Sequence, residues 1–125
     1  MQKAPIISII DDDESIRVAT ESLVRSLGFS AVTFASADEF LKSPRMADTS
    51  CVISDVQMPN MSGLELQERL VAQGSRTPII FITAYPDEGV RARAMNAGAI
   101  CFLNKPFDLQ ALMKCLGEAL KMSRG

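Results

Sequence analysis

Polar side chains that could do chemistry follow four short apolar segments of the sequence. Asp11 and Asp12 come directly after the first segment, and Asp55 ends the second. Thr83 ends the third, and Lys105 comes just after the fourth. If these segments are strands of a parallel sheet, their carboxyl ends lie at one edge, where open α/β sheets bind ligands. The spacing therefore predicts that these side chains converge on one site.

The chemistry that these groups could support together is phosphoryl transfer assisted by a hard cation. Carboxylates packed together repel each other, so at least one pKa rises unless a cation compensates. Oxygen ligands without imidazole or thiolate select a cation such as Mg²⁺, and Lys105 would add a second positive charge. Phosphoryl transfer depends mainly on such positioning and charge neutralisation. Taken singly, the acidic run 11–14 is equally well an acidic helix start, and Asp55 a turn residue, but the joint pattern favours a site.

The composition excludes several other kinds of function. The chain of 125 residues contains no histidine, which excludes Ser-His-Asp and Cys-His catalysis, His-based zinc sites and a histidine phosphocarrier. Its net charge of −2, without a basic block, argues against direct binding of nucleic acid or of an anionic membrane. No apolar run reaches the roughly 18 residues of a membrane span, and a secretory signal is not expected. We therefore expect a cytoplasmic location.

The cysteines predict a reduced protein. Cys51, Cys101 and Cys115 are odd in number, widely spaced and embedded in apolar segments. A disulfide framework does not fit this pattern, whereas three reduced thiols in a cytosolic protein do. We expect each thiol to pack as a small buried apolar side chain.

Five segments are predicted to be β-strands, and helices are predicted between and after them. Four strands are apolar on both faces, as buried parallel strands are, and one is half polar, as an edge strand is. The strands are 6–10, 30–34 (the half-polar one), 51–54, 78–82 and 99–103. Apolar side chains at helical spacing predict helices near 16–27, 36–41, 64–73, 90–97 and 109–120. Ser36 is the expected N-cap of the second helix, and Gly28 the C′ glycine of the first.

This alternation with short connections predicts an α/β fold: a doubly wound, flavodoxin-like (βα)5 domain whose parallel sheet carries helices on both faces. In a sheet of order 2-1-3-4-5, the ligand site lies between strands one and three, which carry the carboxylates. We expect residues 1–122 to form one domain and residues 123–125 to be a frayed tail or the start of a linker.

The strand ends also carry four motifs that belong together. They are Ile9-Ile10-Asp11-Asp12-Asp13, Ile53-Ser54-Asp55-Val56-Gln57-Met58-Pro59-Asn60-Met61-Ser62-Gly63, Ile82-Thr83-Ala84 and Lys105-Pro106-Phe107. In these motifs, and over essentially its whole length, the chain resembles the response-regulator receiver domains, the CheY-like family. The second and fourth motifs are highly specific to that family, whereas the acidic run alone is not. The detail is most similar to receivers that precede DNA-binding output domains.

The resemblance implies a role for each group around the carboxylates. Asp55 corresponds to the phosphoacceptor, Asp12 to a direct Mg²⁺ ligand, and Asp11 to a ligand acting partly through water. The backbone carbonyl of Gln57 would supply another oxygen, and Mn²⁺ would substitute for Mg²⁺. Gln57 and Tyr85 stand at positions that vary across the family, so the lifetime of the phosphoryl group stays open.

The resemblance also implies a switch. The Thr83 hydroxyl would move to the phosphoryl group, the Lys105 ammonium would pair with it, and Phe102 would be the switch aromatic that turns inward. The Lys105–Pro106 peptide corresponds to the family's cis bond. The fourth helix, fifth strand and fifth helix, residues 87–120, would be remodelled, and we call them the switch surface.

The implied partners follow from the same resemblance. The phosphoryl donor would be a sensor histidine kinase or a histidine phosphotransfer protein, and the switch surface would support a homodimer or partner binding. The domain itself would bind neither nucleic acid nor membrane, and would act in transcription regulation through an output domain. It would be no enzyme beyond catalysing its own phosphorylation and dephosphorylation.

Two other functions use similar residues. An aspartyl-phosphate phosphatase of the haloacid dehalogenase type, the runner-up, also uses an Asp nucleophile and Mg²⁺. It needs a second carboxylate two residues after the nucleophile, where this chain has Gln57, and a cap for which this length leaves no room. A flavodoxin-like or dinucleotide-binding function needs a glycine- or hydroxyl-rich loop after the first strand, where Asp11-Asp12-Asp13 would repel phosphate.

Overall fold

The central sheet contains five parallel strands in the order β2-β1-β3-β4-β5, as predicted. The computed structural model describes residues 5–105 and 107–124, with side chains described up to Lys121. The predicted Lys105–Pro106 cis bond involves a residue outside the described ones. The strands are β1 (Ile6–Ile10), β2 (Ser30–Phe34), β3 (Cys51–Asp55), β4 (Ile79–Thr83) and β5 (Cys101–Asn104).

Helices connect successive strands, and their starts are set by side-chain caps. They are α1 (Glu14–Ser26), α2 (Ala37–Lys42), α3 (Gly63–Ala72), α4 (Glu88–Asn96) and α5 (Leu109–Arg124), with a 3₁₀ turn at Pro44–Met46. The Ser36 side chain accepts a hydrogen bond from the N–H of Glu39, which confirms the predicted N-cap of α2. After the C-terminal end of α1, Gly28 has a φ of +95°, the left-handed conformation that a helix C′ glycine adopts readily.

The helices cover both faces of the sheet and form two apolar cores. One core packs α2, α3 and α4 against side chains such as Ile10, Val52 and Phe81. The other packs α1 and α5 against side chains such as Ile9 and Ile53. The central strands β3 and β4 are buried along their whole length, so their carboxyl ends are held rigidly between two packed layers.

The strand β5 differs from its prediction. Its apolar sequence predicted a strand buried on both faces, but its four residues are partly buried or exposed. The reason is its place at the edge of the sheet, where it pairs with β4 alone. A strand on the rim can therefore be apolar in sequence and still contact solvent.

The prediction of three reduced thiols is wrong for two of them. Cys101 on β5 and Cys115 on α5 form a disulfide, and their Cα atoms lie 6.0 Å apart, inside the usual range for such a bond. The packing of α5 on the sheet brings the two residues together, which their spacing in the sequence could not show. Cys51 is a free buried thiol as predicted, and burial raises its pKa to about 12. Among the described residues, no helix has the length and apolar character to cross a membrane.

Candidate functional site

The sheet register brings the predicted site residues to one edge. Ile10 pairs with Ser54, so the residues that follow them, Asp11 and Asp55, lie side by side at the ends of β1 and β3. On the other side, the N–H of Lys105 donates a 2.7 Å hydrogen bond to the carbonyl of Thr83, which fixes the exit of β5 beside the end of β4. The convergence predicted from the strand ends is therefore present in the structure.

Asp11 is the fully buried carboxylate of the site, and it is held from several directions. One carboxylate oxygen accepts a 2.9 Å hydrogen bond from the N–H of Asp13, and the other accepts one of 3.0 Å from Lys105 Nζ. The Arg17 guanidinium donates to the Asp11 carbonyl at 2.8 Å. These contacts fix the turn between β1 and α1, because both the side chain and the backbone carbonyl of Asp11 accept hydrogen bonds.

Asp55 completes the acidic cluster. Its side chain is 9% exposed, and one of its oxygens lies 3.5 Å from Lys105 Nζ. Carboxylate oxygens of Asp11, Asp12 and Asp55 all lie within 4.8 Å of one another, and Asp12 is the exposed member of the three. Oxygen atoms alone, grouped this closely, are the donor set that suits a hard divalent cation, so the residues fit the expected metal.

The charges of the site perturb each other strongly. Burial, and then the negative charges of Asp11 and Asp12, raise the pKa of Asp55 from 3.8 to about 6, although Lys105 acts in the opposite direction. Burial alone would lower the pKa of Lys105, but its hydrogen bond to Asp11 and the charge of Asp55 outweigh burial and raise it above 10.5. The cluster thus keeps Lys105 charged and leaves the carboxylates with more negative charge than one ammonium compensates.

An open cleft of about 310 Å³ gives access to these groups. Its lining contains the acidic cluster, Lys105, and the residues Asp13, Gln57, Ala84 and Tyr85. Gln57 is exposed, and it lies in the segment between β3 and α3. The cleft is wide enough for a small anion with its water, and it shows that Asp55 can be reached from solvent.

Gly63 at the start of α3 holds the segment after Asp55 close to the sheet. Its N–H donates a 2.8 Å hydrogen bond to the carbonyl of Val56. A Cβ atom at this position would overlap the Asp55 carbonyl and the Phe81 ring, so only glycine allows this approach. The adjacent Ser62 caps α3 through a capping box with Glu65.

Thr83 and Phe102 are neighbours across β4 and β5. Thr83 pairs with Asn104, and Phe81 pairs with Phe102, so all four side chains lie on one face of the sheet. Thr83 is fully buried, and its hydroxyl accepts a 3.0 Å hydrogen bond from the N–H of Tyr85. Phe102 is partly buried, with its ring centroid 6.4 Å from that of Phe81.

Sequence reasoning assigned no role at this site to two residues that contribute to it, although one of them, Gly63, ends the motif that contains Asp55. Arg17 lies on α1 and bonds to the Asp11 carbonyl, and Gly63 allows the close approach of α3. A basic residue one helical turn after an acidic run, and a glycine at the first position of a helix, were the available signals. Neither signal points to a site by itself, because both also occur in ordinary helix starts.

Comparison with known proteins places this geometry in one family. The family model for the response regulator receiver domain matches residues 7–117. The response regulator protein TodT of Pseudomonas putida strain F1 is 41% identical over 121 residues, which are 97% of this chain and 53% of TodT. The chain thus spans about half the length of the curated relatives it matches.

Solved structures agree in both fold and extent. The response regulator StyR is 43% identical with a TM-score of 0.89, and the match covers 98% of this chain and 62% of that one. A response regulator receiver protein from Burkholderia phymatum is 42% identical with a TM-score of 0.81, covering 94% of this chain and 95% of that one. The chain belongs to the response regulator receiver domain family of two-component systems.

Proposed function

We propose that this domain is a phosphorylation switch in which Asp55 accepts a phosphoryl group. The observation that carries the proposal is the position of Lys105 Nζ, 3.0 Å from Asp11 and 3.5 Å from Asp55, beside a cluster of three carboxylates. An ammonium in that place can pair with an oxygen of a phosphoryl group carried by Asp55. Asp55 is the proposed acceptor because it lines the cleft beside Lys105, whereas both carboxylate oxygens of the fully buried Asp11 already accept hydrogen bonds.

The proposed cation is Mg²⁺, with Mn²⁺ able to substitute. Asp11, Asp12 and Asp55 would hold it through carboxylate oxygens, and the backbone carbonyl of Gln57 is the proposed fourth ligand. When bound, such a cation neutralises charge on the carboxylates and on the entering phosphoryl oxygens. This compensation is needed because the cluster holds more negative charge than Lys105 balances.

The proposed donor is a phosphohistidine on a sensor histidine kinase or on a histidine phosphotransfer protein. An ionised Asp55 oxygen attacks the phosphorus, the P–N bond breaks, and the imidazole leaves with the electron pair of that bond. The pKa of about 6 leaves Asp55 mostly ionised at neutral pH even before a cation binds. This chemistry is confined to the domain's own acceptor, both in forming the acyl phosphate and in its hydrolysis, so we propose no separate substrate.

The proposed output is a change at the switch surface. The Thr83 hydroxyl oxygen accepts a hydrogen bond from the N–H of Tyr85, and its own O–H would donate to an oxygen of the phosphoryl group on Asp55. Movement of Thr83 toward Asp55 frees space on the face it shares with Phe102, into which the partly buried ring can turn. We propose that the remodelled surface promotes a homodimer and regulates a DNA-binding output domain, as the relatives' length and their roles as transcriptional regulators suggest.

A phosphatase of the haloacid dehalogenase type is not supported. The family assignment argues against it, and the position two residues after Asp55 carries an amide, Gln57, which cannot protonate a leaving group. The acidic cluster therefore serves acceptance of a phosphoryl group rather than turnover of an external phosphate ester.

The experiment is labelling with a small phosphodonor. Wild-type protein with phosphoramidate and Mg²⁺ should gain one phosphoryl group by intact mass, stable in acid and labile in base. Asp55→Asn should gain none, whereas Asp48→Asn, an exposed aspartate on the turn before β3, should label like the wild type. Equal labelling of wild type and Asp55→Asn would place the acceptor elsewhere and overturn the proposal.

The metal can be tested with the single tyrosine of the chain, Tyr85, which lines the cleft and is 73% exposed. Its fluorescence should change as Mg²⁺ is added to the wild type and to Asp48→Ala. Asp12→Ala should lose this response, because it removes the exposed ligand of the cluster. A response of unchanged midpoint in Asp12→Ala would exclude that residue as a ligand.

A further inference from the structure

The disulfide joins two elements of the switch surface, β5 and α5, at the edge of the core that α1 and α5 share. Cys101 is the first residue of β5, directly before Phe102, and Cys115 lies on α5. The bond closes a loop with a sequence separation of 14 that contains both Phe102 and Lys105. It therefore joins the two elements of the switch surface that flank the proposed phosphoryl contact.

The two cysteines of the disulfide differ in their exposure to solvent, and the third cysteine is buried. Cys101 is partly exposed on the edge strand, whereas Cys115 is 4% exposed. Cys51 is fully buried in the central strand β3, and burial raises its pKa to about 12, so it stays a protonated thiol. Exchange with a dissolved reagent is thus directed to the Cys101 sulfur.

We propose that Cys101 and Cys115 form a thiol–disulfide exchange site, and that its redox state controls how far β5 and α5 can move apart when the domain switches. The disulfide form restrains the 101–115 loop, and the dithiol form releases it. The exchange of this bond with thiols depends on the disulfide alone, whereas its effect on switching rests on the proposed function.

The partner in the exchange is a low-molecular-weight thiol and its disulfide, for which glutathione is the probe. In reduction, a glutathione thiolate attacks Cys101 sulfur, the S–S bond breaks, and Cys115 leaves as a thiolate that takes a proton. A second glutathione thiolate then attacks the glutathione sulfur of this mixed disulfide, and Cys101 leaves as a thiolate that takes a proton. The products are two protein thiols and one oxidised glutathione. Oxidation is the reverse, with oxidised glutathione accepting the two electrons.

Reduction need not unfold the domain. The side of α5 that faces the sheet keeps its fully buried residues Leu112, Leu116 and Ala119 in the core shared with α1. The loop is also tied to the sheet by the hydrogen bond from the Lys105 N–H to the Thr83 carbonyl. The disulfide thus adds a restraint to an element that is already packed, which is the arrangement that a reversible switch requires.

The first test counts thiols. Protein equilibrated in glutathione buffers of different ratio is quenched in acid, unfolded and alkylated, and the added groups are counted by mass. The expected result is one alkylated thiol in oxidising buffer and three in reducing buffer, with a single midpoint between them. Cys115→Ser should show two alkylated thiols in a reducing buffer and no internal disulfide in any buffer. A count that stays at one, or at three, over the whole range would overturn the exchange site.

The second test measures the restraint. Hydrogen exchange of backbone amides in the 101–115 loop should be slower in the oxidised form by about an order of magnitude, since a closed loop of this length limits local opening. Beryllofluoride with Mg²⁺, standing in for the phosphoryl group, should change exchange across the switch surface more in the reduced form than in the oxidised form. Equal changes in both forms would overturn the coupling. No change in either form, with the thiol count as expected, would instead contradict the proposed phosphorylation switch.

Discussion

Replacement of Asp55 by asparagine should stabilise the protein when no divalent cation is present. Asp55 is packed beside two other carboxylates, and its own burial is the largest cause of its raised pKa. The asparagine side chain would keep nearly the same shape but would carry no charge into that position. The variant loses a favourable contact with Lys105, but it also removes the cost of burying a charge and the repulsion from the other carboxylates. The removed cost is the larger effect, because the net shift of the Asp55 pKa is upward.

The magnitude follows from the two pKa values. The pKa of Asp55 is 3.8 in an ordinary setting and about 6 in the folded domain. A rise of about two pKa units costs the folded state about 3 kcal/mol when the carboxyl is fully ionised. Because the carboxyl faces an open cleft, screening by water reduces the expected gain to about 1 to 2 kcal/mol.

The sign of the pH dependence is also determined. Below pH 3.8 the carboxyl is protonated in both the folded and the unfolded state, so wild type and Asp55→Asn should differ little. Between pH 3.8 and about pH 6 the Asp55 carboxyl is ionised in the unfolded state but still largely protonated in the folded state, so the wild type loses stability relative to the variant as the pH rises. Above about 6 the difference should be complete and constant.

The assay is urea unfolding with a chelator present, at about pH 4 and about pH 8, with the free energy of unfolding as the readout. Asp48→Asn is the matched control, and it should change stability by no more than about 0.5 kcal/mol because the residue is exposed. Saturating Mg²⁺ should remove most of the advantage of Asp55→Asn. If the variant were less stable than the wild type at the higher pH, or equally stabilised at both pH values, the cluster could not hold the uncompensated negative charge described above.

Three other perturbations test the packing, the switch and the disulfide. Gly63→Ala should lower the free energy of unfolding by about 1 to 3 kcal/mol, because the added Cβ has no room. Gly117→Ala, in open space on α5, should raise it by about 0.5 to 1 kcal/mol. Urea unfolding measures both changes. Thr83→Ala should still label with phosphoramidate but lose most of the beryllofluoride response of the switch surface in hydrogen exchange. Thr77→Ala, two residues before the start of β4, should keep that response. Reduction should lower the wild-type free energy of unfolding by up to about 3 kcal/mol, the value for a loop of this length, and should leave Cys115→Ser unchanged.

Much of the site was predictable because its residues stand at the ends of strongly patterned strands. Buried parallel strands form continuous apolar runs, so a charged residue directly after such a run marks the edge of the sheet. Asp11 and Asp55 follow this rule, and the register indeed places them side by side. The ion pair of Lys105 with both carboxylates follows from the same rule, once β5 is placed next to β4.

The features that the sequence did not reveal depend on the distance between elements that are far apart in it. The Cys101–Cys115 bond forms only if the position of α5 along β5 brings these two residues within bonding distance. Apolar periodicity predicts which face of a helix is buried but not this position. The exposure of β5 depends on its place in the sheet, which its own composition does not encode. The bond from Arg17 to the Asp11 carbonyl is a local exception, since the two residues are six positions apart and are joined across the start of α1.

The most direct test of the central claim is to locate the phosphoryl group on the chain. Borohydride reduces an acyl phosphate to an alcohol, so a phosphorylated aspartate becomes homoserine, which peptide mass spectrometry identifies by position. After treatment with phosphoramidate and Mg²⁺ and reduction, we expect homoserine at position 55 and unchanged aspartate at Asp11 and Asp12. Homoserine at Asp12, or a labelled protein that yields no homoserine, would contradict the assignment of Asp55 as the acceptor.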